Sequence, residues 1–295
     1  MNNVIPLNPS PNTYFPQDSE LYFDVWERPV AFLGAEGKTY ENPNYKAIVR
    51  MIDDHPVQIG MVGRGYKVLR MKPLCQKIES EMCKAMGHGE LQDVKIKDSI
   101  AYHGSMLFKQ YIFPRVKVDI TGRSDSTFRI IIGNSYDGSS TFKMYSGSIN
   151  SFCTNGQIDG IFDMVAKRHT SGLSIPNMAD MIRKSIDVFF NKAEKYKQWS
   201  DKQINSMQAE IAIKAIPNIS ELKAGRILNQ YYEEVLDHGP NVWALYNAAT
   251  YYASHDEGEF QVKDTANDTT AAVLLNREKQ IRGWEKTEAF QQLVA

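Results

Sequence analysis

The sequence predicts an α+β protein: an antiparallel, β-rich N-terminal region carrying one helix, followed by a mostly helical C-terminal half packed on it. Three observations carry that expectation. Before Gly156, short apolar runs recur between turn residues, as strands do. After it, apolar residues recur at three- and four-residue spacing, as on one face of a helix. Finally, 295 residues with 42% hydrophobic and 23% charged side chains match a folded globular chain with material for one large domain or two ordinary ones. The divisions expected are an arm over 1–20, a β-rich region over 21–156 and a helical region over 157–295.

The arm is inferred from Pro6, Pro9, Pro11 and Pro16, which lack backbone donors and interrupt any continuous apolar face. Strands are predicted over 28–33, 66–71, 106–113, 116–120, 128–132 and 142–145, and a helix over 73–86, with Pro73 in its first turn and Gly87 as its stop. Asp137-Gly138 between two strand-like runs predicts a hairpin whose turn needs positive φ. Strict alternation through Arg115, Val116, Lys117, Val118, Asp119 and Ile120 predicts a strand with one wet face.

In the second half, Met178, Met181, Ile182, Ser185, Ile186, Phe189 and Phe190 form one helical stripe. Ser200 with Gln203 reads as a capping box opening a helix that ends before Pro217. Further helices are expected over 220–236, over 241–253 with Val242, Leu245, Tyr246, Ala249 and Ala253 on one side, and over 277–293.

Several function classes lose support at this level. No apolar run approaches the roughly 18 residues needed to span a bilayer, and the first residues carry neither a basic nor an apolar leader region, so no membrane is expected. Cys75, Cys83 and Cys153 are odd in number and lack CxxC spacing, which fits reduced thiols and a cytoplasmic location, that of the host cell if the gene is phage-borne. The net charge of -1 argues against bulk coating of nucleic acid, although residues 60–84 hold six Lys/Arg against two Glu.

Candidate chemistry is sparse. His238 and His255 sit at expected helix ends, and His255, Asp256, Glu257 and Glu259 read as a solvated acidic loop, because no EF-hand or HExxH spacing supports a metal site. Cys153 has no neighbouring histidine and no nucleophile elbow, so it reads as a core thiol. Gly63-Arg64-Gly65 and Gly87-His88-Gly89 are too short for a phosphate loop. No catalytic residue, metal or cofactor is assigned, and the chain reads as a binding protein.

What remains is basic residues interleaved with aromatics, which neutralise phosphates and stack on bases. Three clusters carry it: Arg64, Tyr66 and Lys67 with Arg70 and Lys72; Phe108, Lys109, Gln110 and Tyr111 with Arg115 and Lys117; and Phe142, Lys143, Met144 and Tyr145, where period two places Lys143 and Tyr145 opposite Phe142 and Met144. The competing reading is that the aromatics are core and the cations a solvated outer face.

The segments Val62 to Val68, Ile132 to Ser140, Ser151-Phe152-Cys153-Thr154-Asn155, Arg168-His169-Thr170 and Val242 to His255 together resemble a phage, prophage and conjugative-plasmid family known as domain of unknown function nine-three-two. Tyr136 stands where that family often has histidine, the Cys153-Thr154-Asn155 order is reversed, and Tyr251-Tyr252 lacks its glutamate. The resemblance implies a setting among DNA replication and recombination genes, by association and without a mechanism.

The leading expectation is therefore a single-stranded DNA binding or annealing protein. Its contacts would be Arg64, Lys67, Arg70, Lys109, Arg115, Lys117, Arg129, Lys143 and Tyr145. A second copy of the chain and host or phage replication proteins are further candidate partners. The alternative from another class is a host-interaction protein that binds no DNA; a metal-dependent hydrolase using Asp137 and histidines ranks third.

Overall fold

The computed structural model describes residues 10–122, 125–150, 156–158, 169, 178–255 and 270–295. Strands β1 (Trp26–Leu33), β2 (Thr39–Ile52) and β3 (His55–Gly63) form a three-stranded antiparallel sheet in chain order. Asp53 and Asp54 turn β2 into β3 with φ of 47° and 62°, a two-residue hairpin turn that short polar side chains tolerate. Helices α1 (Met71–Ala85) and α2 (His88–Leu91) follow. A second antiparallel sheet then runs in chain order through β4 (Lys95–Ala101), β5 (Met106–Asp119), β6 (Asp125–Ser135), β7 (Lys143–Asn150) and β8 (Gly156–Ile158).

The inner face of the second sheet presents Leu107, Tyr111, Phe128, Ile130, Ile132 and Met144 to a core closed by Leu74, Cys75, Ile78 and Met82 of α1. Helix α3 (Ala179–Asp201) adds Ile182, Ile186 and Phe189 to the same core. A second core holds the far end of α3 with α4 (Ser206–Lys214), α5 (Glu221–His238), α6 (Val242–His255), α7 (Thr270–Trp284) and α8 (Glu288–Val294). The architecture is thus α+β, with two antiparallel sheets and a helix in the N-terminal part and a helical C-terminal half.

The two sheets meet closely at Gly60. A Cβ there would lie 2.5 Å from the Tyr136 carbonyl oxygen and 2.7 Å from the Asp137 Cα, so only glycine lets β3 approach the β6–β7 loop. That loop, 136–142, is the expected hairpin connection, although only Gly138 (φ 77°) takes positive φ and the turn is longer than a two-residue one.

Several local expectations change. Residues 66–70 are not a strand: the chain leaves the sheet after Gly63 and enters α1 at Met71, held on the way by the Tyr66 hydroxyl on the Ser135 carbonyl and the Asn134 amide on the Leu69 carbonyl. The stretches 106–113 and 116–120 are one strand, with Pro114 absorbed by an irregularity between Ile112 and Lys117 where a missing N–H costs no ladder bond. Within the predicted arm, Phe15 is buried and sets its ring edge-on to Tyr111, 5.6 Å between centroids, so the part from Ser10 onward is docked.

The helical half differs in detail. Gln203 pairs with Asn241 in a β-bridge, and the capping box lies further on, at Asn205 and Gln208. Phe190 leaves its stripe and is exposed. Helix α6 is buried around its circumference by Trp243, Ala244, Leu245, Tyr246 and Ala248, because α3, α5 and α7 surround it. The last predicted helix is two, α7 and α8, separated by Glu285 and Lys286 and restarted by Thr287, whose hydroxyl accepts the Phe290 N–H.

Candidate functional site

Three of the segments singled out in the sequence converge between the sheets. The Tyr66 ring stacks on His169 with centroids 4.7 Å apart and planes 12° from parallel. The Tyr66 hydroxyl donates to the Ser135 carbonyl at 2.8 Å, and the Asn134 side-chain amide donates to the Leu69 carbonyl at 2.8 Å. Lys67 N–H donates to the His169 carbonyl, and His169 Nδ1 lies 3.1 Å from the Lys67 carbonyl. A carbonyl only accepts, so the proton is on Nδ1 and the buried Nε2 keeps a lone pair with no partner among the described residues. Burial lowers the His169 pKa, leaving the ring neutral, and raises Tyr66 to about 12. This junction ties the segment after β3 to β6 and to His169.

The nine expected DNA contacts do not form one track. Arg64, Lys67 and Arg70 are exposed; Arg64 pairs with Glu41 at 2.8 Å, and Arg70 lines a groove of about 340 Å³ with Val25, Glu27, Val68 and Leu69. Arg115 and Lys117 are exposed and paired with Asp93 and Asp125. Lys109 is fully buried, because it falls on the inner face of β5, where its Nζ meets Asp98 on β4 at 3.0 and 3.2 Å. Arg129 is buried against Glu278 of α7 at 2.5 Å. Tyr145 lies on the outer face with Lys143, as alternation required, but α7 covers it: it is 2% exposed, with Lys279 Nζ 4.8 Å above its ring. Lys109, Arg129 and Tyr145 are thereby corrected from strand-facing contacts to interior residues.

Helix α7 also creates a feature no sequence window shows. Asn276 and Lys279 come beside Lys143, Tyr145, Phe108, Gly133, Asn134 and Ser140 around a cavity of about 80 Å³.

The largest departure from expectation is the three-stranded sheet. Its register puts Trp26, Arg28, Tyr45, Ala47, Val49 and Met61 on one face, opposite Ile48, Gly60 and Val62, which meet the core. On that outer face Trp26 is 38%, Tyr45 45% and Met61 54% exposed. Beyond it, Phe32 and Tyr40 stack on each other at the hairpin tip, 5.8 Å apart, and both remain exposed with Leu33. The alternation of Tyr45, Ala47 and Val49 was the available signal for a strand here.

From Trp26 to Arg64 the cations Arg28, Lys38, Lys46, Arg50 and Arg64 equal in number the anions Glu27, Glu36, Glu41, Asp53 and Asp54. Among the described residues no group of three His, Cys, Asp or Glu stands where it could hold a metal ion; the loop from Asp256 to Glu259 and Cys153 lie outside the described residues. Asp137, the carboxylate of the third expectation, accepts the Ser139 N–H at 2.8 Å within its own loop. No described helix is long and apolar enough to cross a membrane.

A family model described as Domain of unknown function (DUF932) matches residues 59–280, from β3 to α7. No curated protein and no solved structure matches the chain.

Proposed function

The chain belongs to the DUF932 family, and from that premise we propose that it is a binding protein that docks another protein on the outer face of its three-stranded sheet. The observation that supports this is the exposed set Trp26, Tyr45 and Met61 with Arg28 among them. Aromatic residues, methionine and arginine are the types enriched where proteins meet, and a contiguous apolar face left in water carries a cost unless something covers it. The balance of charge from Trp26 to Arg64 selects the class of partner: a polynucleotide would meet as many carboxylates as cations, whereas a near-neutral protein surface would not be repelled. Pro29 and the register shift beside it spoil β1, one of the sheet's two edges, as a template for strand addition, and the exposed side chains lie on the face.

The test is retention of one stoichiometric partner from a lysate of the cells that carry the gene. The full chain is expected to retain it, and the Trp26→Ser, Met61→Ser double variant, matched in circular dichroism, to lose it. Equal retention by both, or association of the chain only with itself, overturns the reading.

A second reading, single-stranded DNA binding, is favoured by Arg64, Lys67 and Arg70, which stay at the surface on one segment. It predicts salt-sensitive binding of a labelled oligonucleotide that Lys67→Glu with Arg70→Glu abolishes. Binding indifferent to salt, or to those substitutions, refutes it.

A further inference from the structure

We propose that α5 is a dimerisation helix, docking antiparallel on α5 of a second copy of this chain. The surface is separate from the outer face of the three-stranded sheet, and the proposal does not rest on docking there. Ala224, Ile227 and Tyr231 of α5 turn into the second core. On the opposite side Leu222, Gly225, Asn229, Tyr232 and Leu236 recur at alternating three- and four-residue spacing, and all five are exposed, Leu222 by 68% and Leu236 by 79%. That spacing is the seam of a helix that packs along another helix, and among the described residues it is turned to water.

Gly225 indicates how near the second helix comes. Among the described residues a Cβ there would meet nothing within 4 Å, so packing inside the chain does not call for glycine, and glycine weakens a helix interior relative to alanine. A helix lying against α5 from outside does call for it. With a twofold axis beside Asn229, Leu222 meets Leu236 of the second copy, Gly225 meets its Tyr232 and Arg226 meets its Glu233, each pair aligned to within one residue's rise. Apolar thus faces apolar, the missing side chain faces the bulky ring, and positive faces negative, each twice by symmetry. Arg226 has an interaction inside its own chain, so its part is to match Glu233 in sign and not to bring an unsatisfied charge. The two Asn229 amides meet on the axis, where each donates to the other and fixes the register. A parallel pair would set Arg226 against Arg226 and Glu233 against Glu233, and like charges repel. The 18 residues of α5 span about 27 Å, and one helix pair covers less than the roughly 800 Å² per partner of a standard interface, so the dimer is expected to be reversible at micromolar concentration.

Sedimentation equilibrium of the full chain over roughly 1–100 μM, a span that brackets such an affinity, is expected to show a monomer–dimer equilibrium with no larger species. Leu222→Glu with Leu236→Glu, both at exposed positions, should leave a monomer with an unchanged thermal midpoint. Gly225→Leu adds apolar surface and helix propensity, yet it should raise the dissociation constant at least about tenfold, because it fills the space that Tyr232 of the second copy occupies. A face that is merely sticky would bind more tightly with that leucine. Mild oxidation reads the direction: Asn229→Cys should give a disulfide-linked dimer absent from the wild type. Leu222→Cys should not, since antiparallel packing holds its two copies about 21 Å apart and a disulfide needs Cα atoms within about 7 Å. Trp26→Ser with Met61→Ser should dimerise as the wild type does, which tells failure of this proposal apart from failure of docking on the sheet. A chain monomeric throughout the range, a dimer that survives Leu222→Glu with Leu236→Glu or is lost with Trp26→Ser and Met61→Ser, tighter association of Gly225→Leu, or equal cross-linking at both cysteine positions overturns the proposal.

Discussion

Replacing Lys109 by methionine separates its structural role from the DNA contact expected from sequence. Lys109 is 0% exposed; its ammonium lies 3.0 and 3.2 Å from the two Asp98 oxygens and 5.1 and 5.8 Å from the Tyr22 and Tyr111 ring centres. Ser19 donates to the same carboxylate at 2.5 Å. Methionine fills most of the lysine volume, so the dominant loss is electrostatic: the Asp98 carboxyl loses its ammonium partner in a protein interior and keeps one hydroxyl as donor. Breaking a buried pair in this way costs about 3–5 kcal/mol, and the 15% exposure of the Asp98 side chain, which admits water, favours the lower end. About 3 kcal/mol at roughly 2–4 °C per kcal/mol lowers the thermal midpoint by about 6–12 °C. Urea unfolding followed by circular dichroism measures the same loss as a lower midpoint with unchanged slope. The Lys109→Met, Asp98→Leu double variant removes the stranded charge and is expected to recover more than half of it. A single variant within 1 kcal/mol of wild type on that scale, or a double variant no better than the single, refutes the buried-pair account.

Glu81 accepts the Met178 and Ala179 N–H groups at 3.0 and 3.2 Å, so it caps α3 from α1. Burial alone would raise its pKa, but Lys84 and the two amides outweigh this and hold it below the ordinary carboxylate value. Its contribution is present above the unfolded-state pKa and is lost as pH falls through the folded one; Glu81→Gln should cost about 0.5–2 kcal/mol at pH 7 and flatten acid unfolding curves. His169, with its pKa lowered from 6.5 by burial, favours the folded state above pH 6.5 and loses that contribution as pH falls through the folded value, so His169→Gln should reduce the slope of stability against pH below 6.5. Burial raises the Cys75 thiol to about 12 and the Cys83 thiol to about 11. Both should resist an alkylating reagent at pH 8 in native buffer and react in denaturant; fast native labelling of Cys75, mapped by mass spectrometry, would contradict its burial.

The helices were legible because their signals are local. The stripe from Met178 to Phe189 and the Ser220 cap each depend on residues within a few turns, and they place the start of α3 and both ends of α5 within a residue or two of where they lie, although α3 runs on to Asp201, through the Ser200 expected to open the next helix. The misreadings came from distant partners. Tyr66 to Arg70 has strand-like composition, yet its Tyr66 ring pairs with His169 and its Leu69 carbonyl with Asn134, contacts that hold a loop between two sheets. Lys109 follows Phe108 in a strand, and a lysine at alternate positions usually marks the wet side; here Asp98, opposite it in the β4–β5 register, makes the inner side tolerable. Residues 26–63 went largely unread because Asp53-Asp54 is a weaker turn signal than Asp-Gly and because Pro29, Pro43 and Pro56 interrupt the alternation.

Alternation establishes which residues share a face of a strand, and it is silent about what lies over that face. On the five-stranded sheet it correctly put Lys143 and Tyr145 opposite Met144, and the expected stacking platform failed only because α7 lies across it. The cover is chemically fitted: Glu278 answers Arg129, and Lys279 answers the Tyr145 ring. Such a fit identifies the outer face of that sheet as an internal interface, with a small cavity left at its margin. The three-stranded sheet presents the opposite case, since the residues of its outer face are of the kind proteins bury and still meet water. If the function is binding, the surface to search is therefore the one where, among the described residues, apolar side chains lack a fitted cover, and Trp26, Tyr45 and Met61 mark it.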